Sequence, residues 1–339
     1  MTLAVRPRVG VSSCLLGEEV RFDGGHKRFR FLTDELGLYV DWVPYCPEME
    51  IGLGTPREPI RLSADGRLVN RSGSADHTVA MASLPVPAGL DGYVFKAKSP
   101  SCGIFGIPRY GSDGSAADRR GRGLYAGRVL AEDPLLAAEE EGRLSDPGLR
   151  EAFVERVFAA ARLRVLLGGS WGLTDLVDFH ARHKLQLLAH DPGRYRAAGR
   201  VVVAAGAEGS GPRSPGTGSG PRSPGTGSGP RSPATGSGPR LSAAAEYREL
   251  FLAALAEPAT RGRNANALLH AYSRIGRLLE QPRRRDLVGR IEAYRRGEAP
   301  LGVPVALLAH YAAGGDLPWL AEQTYLAPFP AELQLRHAV

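Results

Sequence analysis

Short apolar runs alternate with polar, glycine-bearing stretches through the first hundred residues. RVGVSS (8–13), LYVDWVPY (38–45) and GYVFKAK (92–98) are rich in Val, Tyr, Phe and Trp and bounded by Gly, Pro or Ser, which predicts three strands. GRVL (127–130) offers a fourth. Between the first two runs Phe29, Phe31, Leu32 and Leu36 recur at helical spacing, so the order is strand, helix, strand, and a parallel sheet follows. Within 134–166, Phe153, Val154, Val157, Phe158 and Leu163 mark a helix opened by Asp146-Pro147. Beyond it the helical period dominates, through 171–190, 245–258 and on to RRRDLVGRIEAYRRGE. The expected fold is therefore α/β: a Rossmann-like, mostly parallel sheet domain over 1–168, followed by an all-α domain over 169–206 and 242–339.

One tract breaks the pattern. GSGPR recurs at 209, 218, 227 and 236, a nine-residue repeat of Gly, Ser, Pro and Thr. Such a composition cannot bury enough apolar surface to offset the entropy of ordering, so 207–241 is expected to be a disordered insertion.

The 339 residues are 43% hydrophobic and 23% charged, as in a globular protein. No window approaches the ~18 uninterrupted apolar residues of a spanning helix, and MTLAVRPRVG lacks the apolar core of a secretory signal. The expected compartment is the cytoplasm, with no membrane partner. Net charge is +7, and all of it lies in the second half: residues 1–170 hold 22 Lys and Arg against 22 Asp and Glu, and 171–339 hold 21 against 14. A basic half suits a polyanion, and equally an ordinary solvated surface.

The cysteine inventory is small and oddly placed. Cys14, Cys46 and Cys102 each follow an apolar run, where a strand gives way to a loop. In a parallel sheet that is the side on which ligands bind. An odd, sparse set is no disulfide framework. Four uses remain open: a structural zinc completed by a histidine such as His26 or His77, an iron–sulfur cluster with one iron free of cysteine, a nucleophilic thiol with two bystanders, or three small buried hydrophobes. The neighbours add chemistry. Glu48, two residues after Cys46, suits a proton donor; Ser99 and Ser101 offer hydroxyls; Gly103 lets backbone approach a bulky group; and the glycines before His26, Lys27 and Arg28 free a loop to cradle a ligand.

The blocks GVSSCLLGEEVRFDGGHKR, VPYCPEMEIGLGTPREPIRL, KAKSPSCG and EEEGRLSDPGLREAFVERVF closely resemble the thiouracil desulfidase family, over nearly all of 5–160. DFHARHKLQLLAHDPGRYRAAGR, YRELFLAALAEPATRGRNANALLHAY, IEAYRRGEAPLGVPVALLAHY and QTYLAPFPAELQLR are similar to the YbgA-like domain that often follows it. The resemblance implies a 4Fe-4S cluster ligated by Cys14, Cys46 and Cys102, with one iron not held by cysteine and open to a thiocarbonyl sulfur. It implies Glu48 as proton shuttle, assisted by Ser99 or Ser101, with Ser99 favoured. The implied reaction exchanges sulfur for oxygen in thiolated uracil without net redox and releases hydrogen sulfide. The fused form resembles enzymes of 4-thiouridine in transfer RNA, which makes tRNA the expected partner of the helical domain. Its candidate phosphate contacts are His180, Arg182, His183, Lys184, Arg261, Arg263, Arg283, Arg284 and Arg285; His180 and His183, spaced i,i+3, otherwise pack. Two other functions fit: desulfuration of free thiouracil or a thionucleoside, and nucleic-acid binding with a structural or redox-sensing cluster.

Overall fold

A computed structural model describes residues 5–208, 238–314 and 317–336. The expected insertion at 207–241 lies outside the described residues except for its ends, 207–208 and 238–241, which continue the flanking helices.

The described strands are β1 (Arg8–Ser12), β2 (Asp41–Tyr45), β3 (Ile60–Ser63), β4 (Leu68–Asn70), β5 (Gly92–Phe95), β6 (Ile107–Tyr110), β7 (Ala116–Gly121) and β8 (Ala137–Glu140). Four of them form an all-parallel sheet in the order β2-β1-β5-β8. Val11 faces Pro44 on one side and Val94 on the other, so β1, β2 and β5 end level with one another. The first three expected strands are β1, β2 and β5. The fourth is not GRVL, which lies in α3 (Leu124–Glu132), where Tyr125, Ala126 and Val129 are buried at helical spacing. The strand that closes the sheet is AAEE, β8. Between β1 and β2 the expected helix is a single wide turn, Phe31–Glu35, that tightens over Leu36–Leu38.

A second sheet, in the order β4-β3-β6-β7, was not foreseen from the sequence. Its strands are short, and Leu62, Leu68 and Ile107 pack in one cluster with Tyr93 and Phe95 of β5. Helices α1 (Pro47–Glu50) and α2 (Thr78–Ser83) connect these parts.

Side chains alternate across the parallel sheet, as the pleat requires. Val9, Val11, Val94 and Ala137 face α4 (Pro147–Gly168), against Phe153, Val154, Val157 and Phe158. Tyr93 and Phe95 face α3 and the second sheet. Asp146 caps α4, its carboxylate accepting the Leu149 N–H at 2.9 Å. The opposite face of α4, at Ala159 and Leu163, belongs to the core of the helical region. That region comprises α5 (Leu173–Arg182), α6 (Lys184–His190), α7 (Pro192–Glu208), α8 (Gly238–Ala256), α9 (Arg261–Ile275), α10 (Gln281–Arg296), α11 (Gly302–Gly314) and α12 (Pro318–Ala321). Phe329, Leu333 and Leu335 return to pack in the sheet's core. No helix of the described residues is long and apolar enough to cross a membrane.

Candidate active site

Because β1, β2 and β5 end level, their exits share one edge. Ser13–Leu15 winds into a single tight turn carrying Cys14, Cys46 opens α1, and the loop after β5 carries Cys102. All three cysteines are free thiols and all three line one cavity of about 380 Å³. Cys14 and Cys102 are buried, and Cys46 is half-buried, its thiol donating to the Val20 carbonyl at 3.9 Å. Burial pushes the Cys14 thiol up to about 11, with the neighbouring Cys46 adding to the shift. Burial also raises Cys46 and lifts Cys102 well above the ordinary range. A cationic group in the cavity would reverse that trend.

Among the described residues no three His, Cys, Asp or Glu side chains are arranged to hold one metal ion. His26 is exposed, with its Nδ1 accepting the Arg28 N–H at 3.2 Å, and His77 Nε2 lies 2.7 Å from Asn70 Oδ1, so neither joins the thiols. A cluster asks for a different arrangement: each thiolate binds its own iron, so the sulfurs surround a shared space rather than meet at a point. Three free thiols around one cavity fit that donor set.

Glu48 stands in the same cavity wall, with both oxygens engaged. Oε2 accepts from Arg57 Nε at 3.0 Å and from Arg57 Nη2; Oε1 accepts from Ser101 Oγ at 2.9 Å and Ser99 Oγ at 3.4 Å. Arg57 is only 6% exposed at its side chain and also donates to the carbonyls of Gly54 and Val20, at 2.6 and 3.0 Å. It ties the glycine loop, α1 and the loop before β3 together. Sequence reading passed over Arg57; the signal available was its place in the TPREP segment of a cysteine-bearing block.

The two serines have different positions. Ser99 lines the cavity, and its Oγ accepts the N–H groups of Ser101 and Cys102 at 3.2 and 3.1 Å. Ser101 has no exposed surface and serves to hold Glu48. The Cys102 loop is fixed from outside as well. Glu140 Oε1 accepts from the Ile104 and Phe105 N–H groups at 2.6 and 3.1 Å, and Glu141 holds Lys96 and the Ala97 N–H. Gly103 meets a packing demand rather than a ligand: a Cβ there would lie 2.2 Å from Ile107 Cδ1 and 2.9 Å from the Ser99 carbonyl.

The candidate phosphate contacts divide. His183 is 2% exposed, stacked on Phe179, with Nδ1 2.8 Å from the Phe179 carbonyl, and burial pulls its pKa down to about 3. His180 stacks on Tyr195 and lies 3.2 Å from the Tyr247 hydroxyl, and burial holds it near 4. His183 is enclosed by its neighbours, whereas His180 is half-buried between Tyr195 and Tyr247 and borders a hollow with Arg196 and Arg200. Arg263 donates to the His190 carbonyl at 2.7 Å, and Arg284 to the Leu279 carbonyl at 2.6 Å, tying down helix ends. Arg182 donates to Asp178 O at 3.3 Å, Lys184 is half-buried, and Arg261 lies against Gly297. Arg283 and Arg285 stand exposed on the first turn of α10.

The profile of the 2-thiouracil desulfurase family matches residues 9–141, and that of a protein family of unknown function, DUF1722, matches 234–330. YbgA of Escherichia coli (strain K12) is 26% identical over 183 residues, which cover 54% of this chain and 91% of that protein. YbbK of Bacillus subtilis (strain 168) is 31% identical over 153 residues, 37% of this chain and 95% of that protein. The solved structure of the 4Fe-4S-dependent thiouracil desulfidase TudS is 29% identical, covers 43% of this chain and 97% of its own, and superimposes with a TM-score of 0.36. The chain belongs to the family that joins an N-terminal 2-thiouracil desulfurase domain to a C-terminal DUF1722, or YbgA-like, domain.

Proposed function

We propose that this protein desulfurates a thiolated uracil: water replaces the sulfur of a C=S group, giving C=O and hydrogen sulfide with no change of oxidation state. The observation that carries this reading is the convergence of Cys14, Cys46, Cys102, Glu48 and Ser99 on one cavity. The three thiols would hold a 4Fe-4S cluster with one iron free of cysteine. Such a cluster supplies a soft Lewis acid suited to a thiocarbonyl sulfur.

The chain's own groups supply position and protons. A cavity of about 380 Å³ has room for a pyrimidine. Ser99 Oγ takes backbone N–H bonds from Ser101 and Cys102, which leaves its own proton for Glu48 Oε1 or for a group in the cavity. Glu48 accepts one proton of the attacking water through Oε1 and passes it to the departing sulfur, then carries the second as the added hydroxyl becomes C=O, so that both hydrogens of the water leave in hydrogen sulfide. Arg57 keeps the carboxylate in place while this happens, and Ser101 fixes the oxygen that faces Ser99.

The finer reading is 4-thiouridine within transfer RNA, supported by the basic charge of 171–339 and the exposed Arg283 and Arg285. Burial of His180 and His183 favours the competing reading, a free base or nucleoside. The test is anaerobic purification, metal and sulfide analysis, and loss of the thiocarbonyl absorbance from tRNA, thiouridine and thiouracil. About four irons per chain with sulfide release and no added reductant are expected. Turnover of the free base alone would remove tRNA as substrate, and iron-free protein from anaerobic preparation would sink the proposal.

A further inference from the structure

Among the described residues, seven buried side-chain polar atoms have no hydrogen-bond partner in the protein, and four of them belong to one group: the hydroxyls of Tyr45, Tyr93 and Tyr125 and Nε of Arg128. The rings touch. Tyr45 stacks on Tyr125 with centroids 4.9 Å apart, and Tyr93 meets Tyr125 edge-on at 6.4 Å. Tyr93 and Tyr125 have no exposed surface. The row starts behind Cys102, where Tyr93 comes from β5 and the first turn of α3 is tied to the Cys102 loop: the Gly123 and Tyr125 N–H groups donate to the Gly103 and Ser101 carbonyls at 2.7 and 3.0 Å. It ends near solvent. Arg128, one turn along α3 from Tyr125, is half-buried and donates through Nη1 to the Ala82 carbonyl. The Tyr45 residue also borders the thiol cavity.

Packing does not account for these hydroxyls. Phenylalanine offers the same ring without a polar atom to desolvate, as Phe95 does where it stacks on Tyr93 at 3.9 Å. Burial raises the pKa of all three phenols, so each stays neutral and can both donate and accept. The neighbours that act on them give the row its order. The Cys102 thiol and Tyr125 act on Tyr93, Tyr45 and Arg128 act on Tyr125, and Glu50 and Arg128 act on Tyr45. The Tyr93 and Tyr125 hydroxyls are thus near one another without meeting hydrogen-bond geometry. A buried water takes about two to four polar partners, and this row offers three hydroxyls and a guanidinium N–H.

We infer that these four groups bind a short file of buried water running from the Arg128 surface to the back of the Cys102 loop, and that the file is a rear supply of the water consumed in desulfuration. The supply role rests on the desulfuration reading, in which a water molecule is used at each turnover; the file itself does not. Neutral hydroxyls suit the task, since they hold water by donating or accepting and add no charge beside the thiols.

The full-length, cluster-loaded protein is compared with Tyr93→Phe, Tyr125→Phe and the double variant. Hydroxyls that share a water lose its bonds when one of them is removed, so each single variant is expected to melt about 2–4 °C lower, and the double variant little lower than either. Hydroxyls that bond nothing give the opposite sign: each phenylalanine then raises the melting temperature, which overturns the file. A high-resolution crystal structure of the unaltered protein should show water within hydrogen-bond distance of at least two of the hydroxyls, and a dry site overturns the inference whatever the melting temperatures. In the desulfuration assay the double variant is expected to lose kcat several-fold with KM and iron content unchanged. An unchanged kcat beside a filled file makes that water structural and overturns the supply role. If no thiolated compound turns over, the supply role falls with the reading beneath it, while melting and crystallography still decide the file.

Discussion

Both halves of the molecule bury polar and ionisable side chains, but they surround them differently. At the sheet edge, Glu48, Ser99 and the three cysteines border a cavity; Arg57 and Ser101 hold Glu48 from behind, and the carboxylate of Glu140 holds the loop just after Cys102. In the helical half the buried polar side chains bond chiefly to one another, although Glu155, His190, Asn264 and Tyr325 also border a cavity of about 660 Å³. His183 stacks in an aromatic group with Phe179 and Phe251, Gln186 donates to Glu155 at 2.7 Å, and Tyr325 donates to Asn264 at 2.8 Å. Burial pushes the Glu155 carboxyl up, yet its bond to His190 and the charge of Arg336 bring it down to about 2. The difference is in the donors: free thiols stand around the first space, whereas the polar groups at the second are already bonded to protein partners.

The sharpest break between the two would come from Glu48→Gln. Turnover should fall by about 10²–10⁴-fold, the usual worth of a positioned acid–base group, with folding and iron content retained. A fully active variant would end the proton role assigned to Glu48.

The helical half should respond in stability instead. His180 and His183 have folded pKa values near 4 and 3, below their unfolded value of 6.5. Their contribution is present above 6.5 and is lost as the pH falls toward 4, by up to about 1.4 kcal/mol per pH unit for each ring. Thermal denaturation should show this slope, and joint replacement by glutamine should flatten it without changing turnover at neutral pH. Loss of desulfuration in a well-folded variant would instead draw these rings into the substrate path.

The smallest effect concerns Lys98, which borders the thiol cavity with a left-handed φ of +62°. Lys98→Gly removes the left-handed strain and should stabilise the chain by about 1 kcal/mol in chemical denaturation. A loss of stability would show that the Lys98 stem packs there more than its exposure suggests.

The parallel strands and the cysteine exits were legible because β-branched and aromatic runs end at Gly, Pro or Ser, and each run is followed by its thiol. The fourth strand was not. AAEE has helical composition, and it becomes an edge strand since Asp133-Pro134 stops α3 before it and Asp146-Pro147 opens α4 after it. Its acidic residues look like helix-surface charges in the sequence, but Glu140 turns inward to accept the Ile104 and Phe105 N–H groups, and Glu141, just past the strand, accepts the Ala97 N–H and pairs with the Lys96 ammonium. The second sheet escaped notice for a related reason: its strands are only three to six residues long and carry Arg, Asp and Asn. His180 and His183, at the junction of α5 and α6, were left open between phosphate contact and packing. Spacing alone does not tell a solvent face from an aromatic one, and here the His183 ring lies against Phe179 and Phe251.

The three cysteines lie on three separate excursions of the chain, so anything bound to all of them joins segments from Cys14 to Cys102 that are otherwise linked by the sheet and by a few side-chain bonds of Glu48 and Arg57. Loading the cluster would then also be a step of folding: it closes long loops whose opening entropy the empty chain keeps. Amide exchange in the turn at Ser13–Leu15, at α1 and around Cys102 should slow together when iron is bound, and the edge of the sheet that carries the chemistry would be the last part of this half to become rigid.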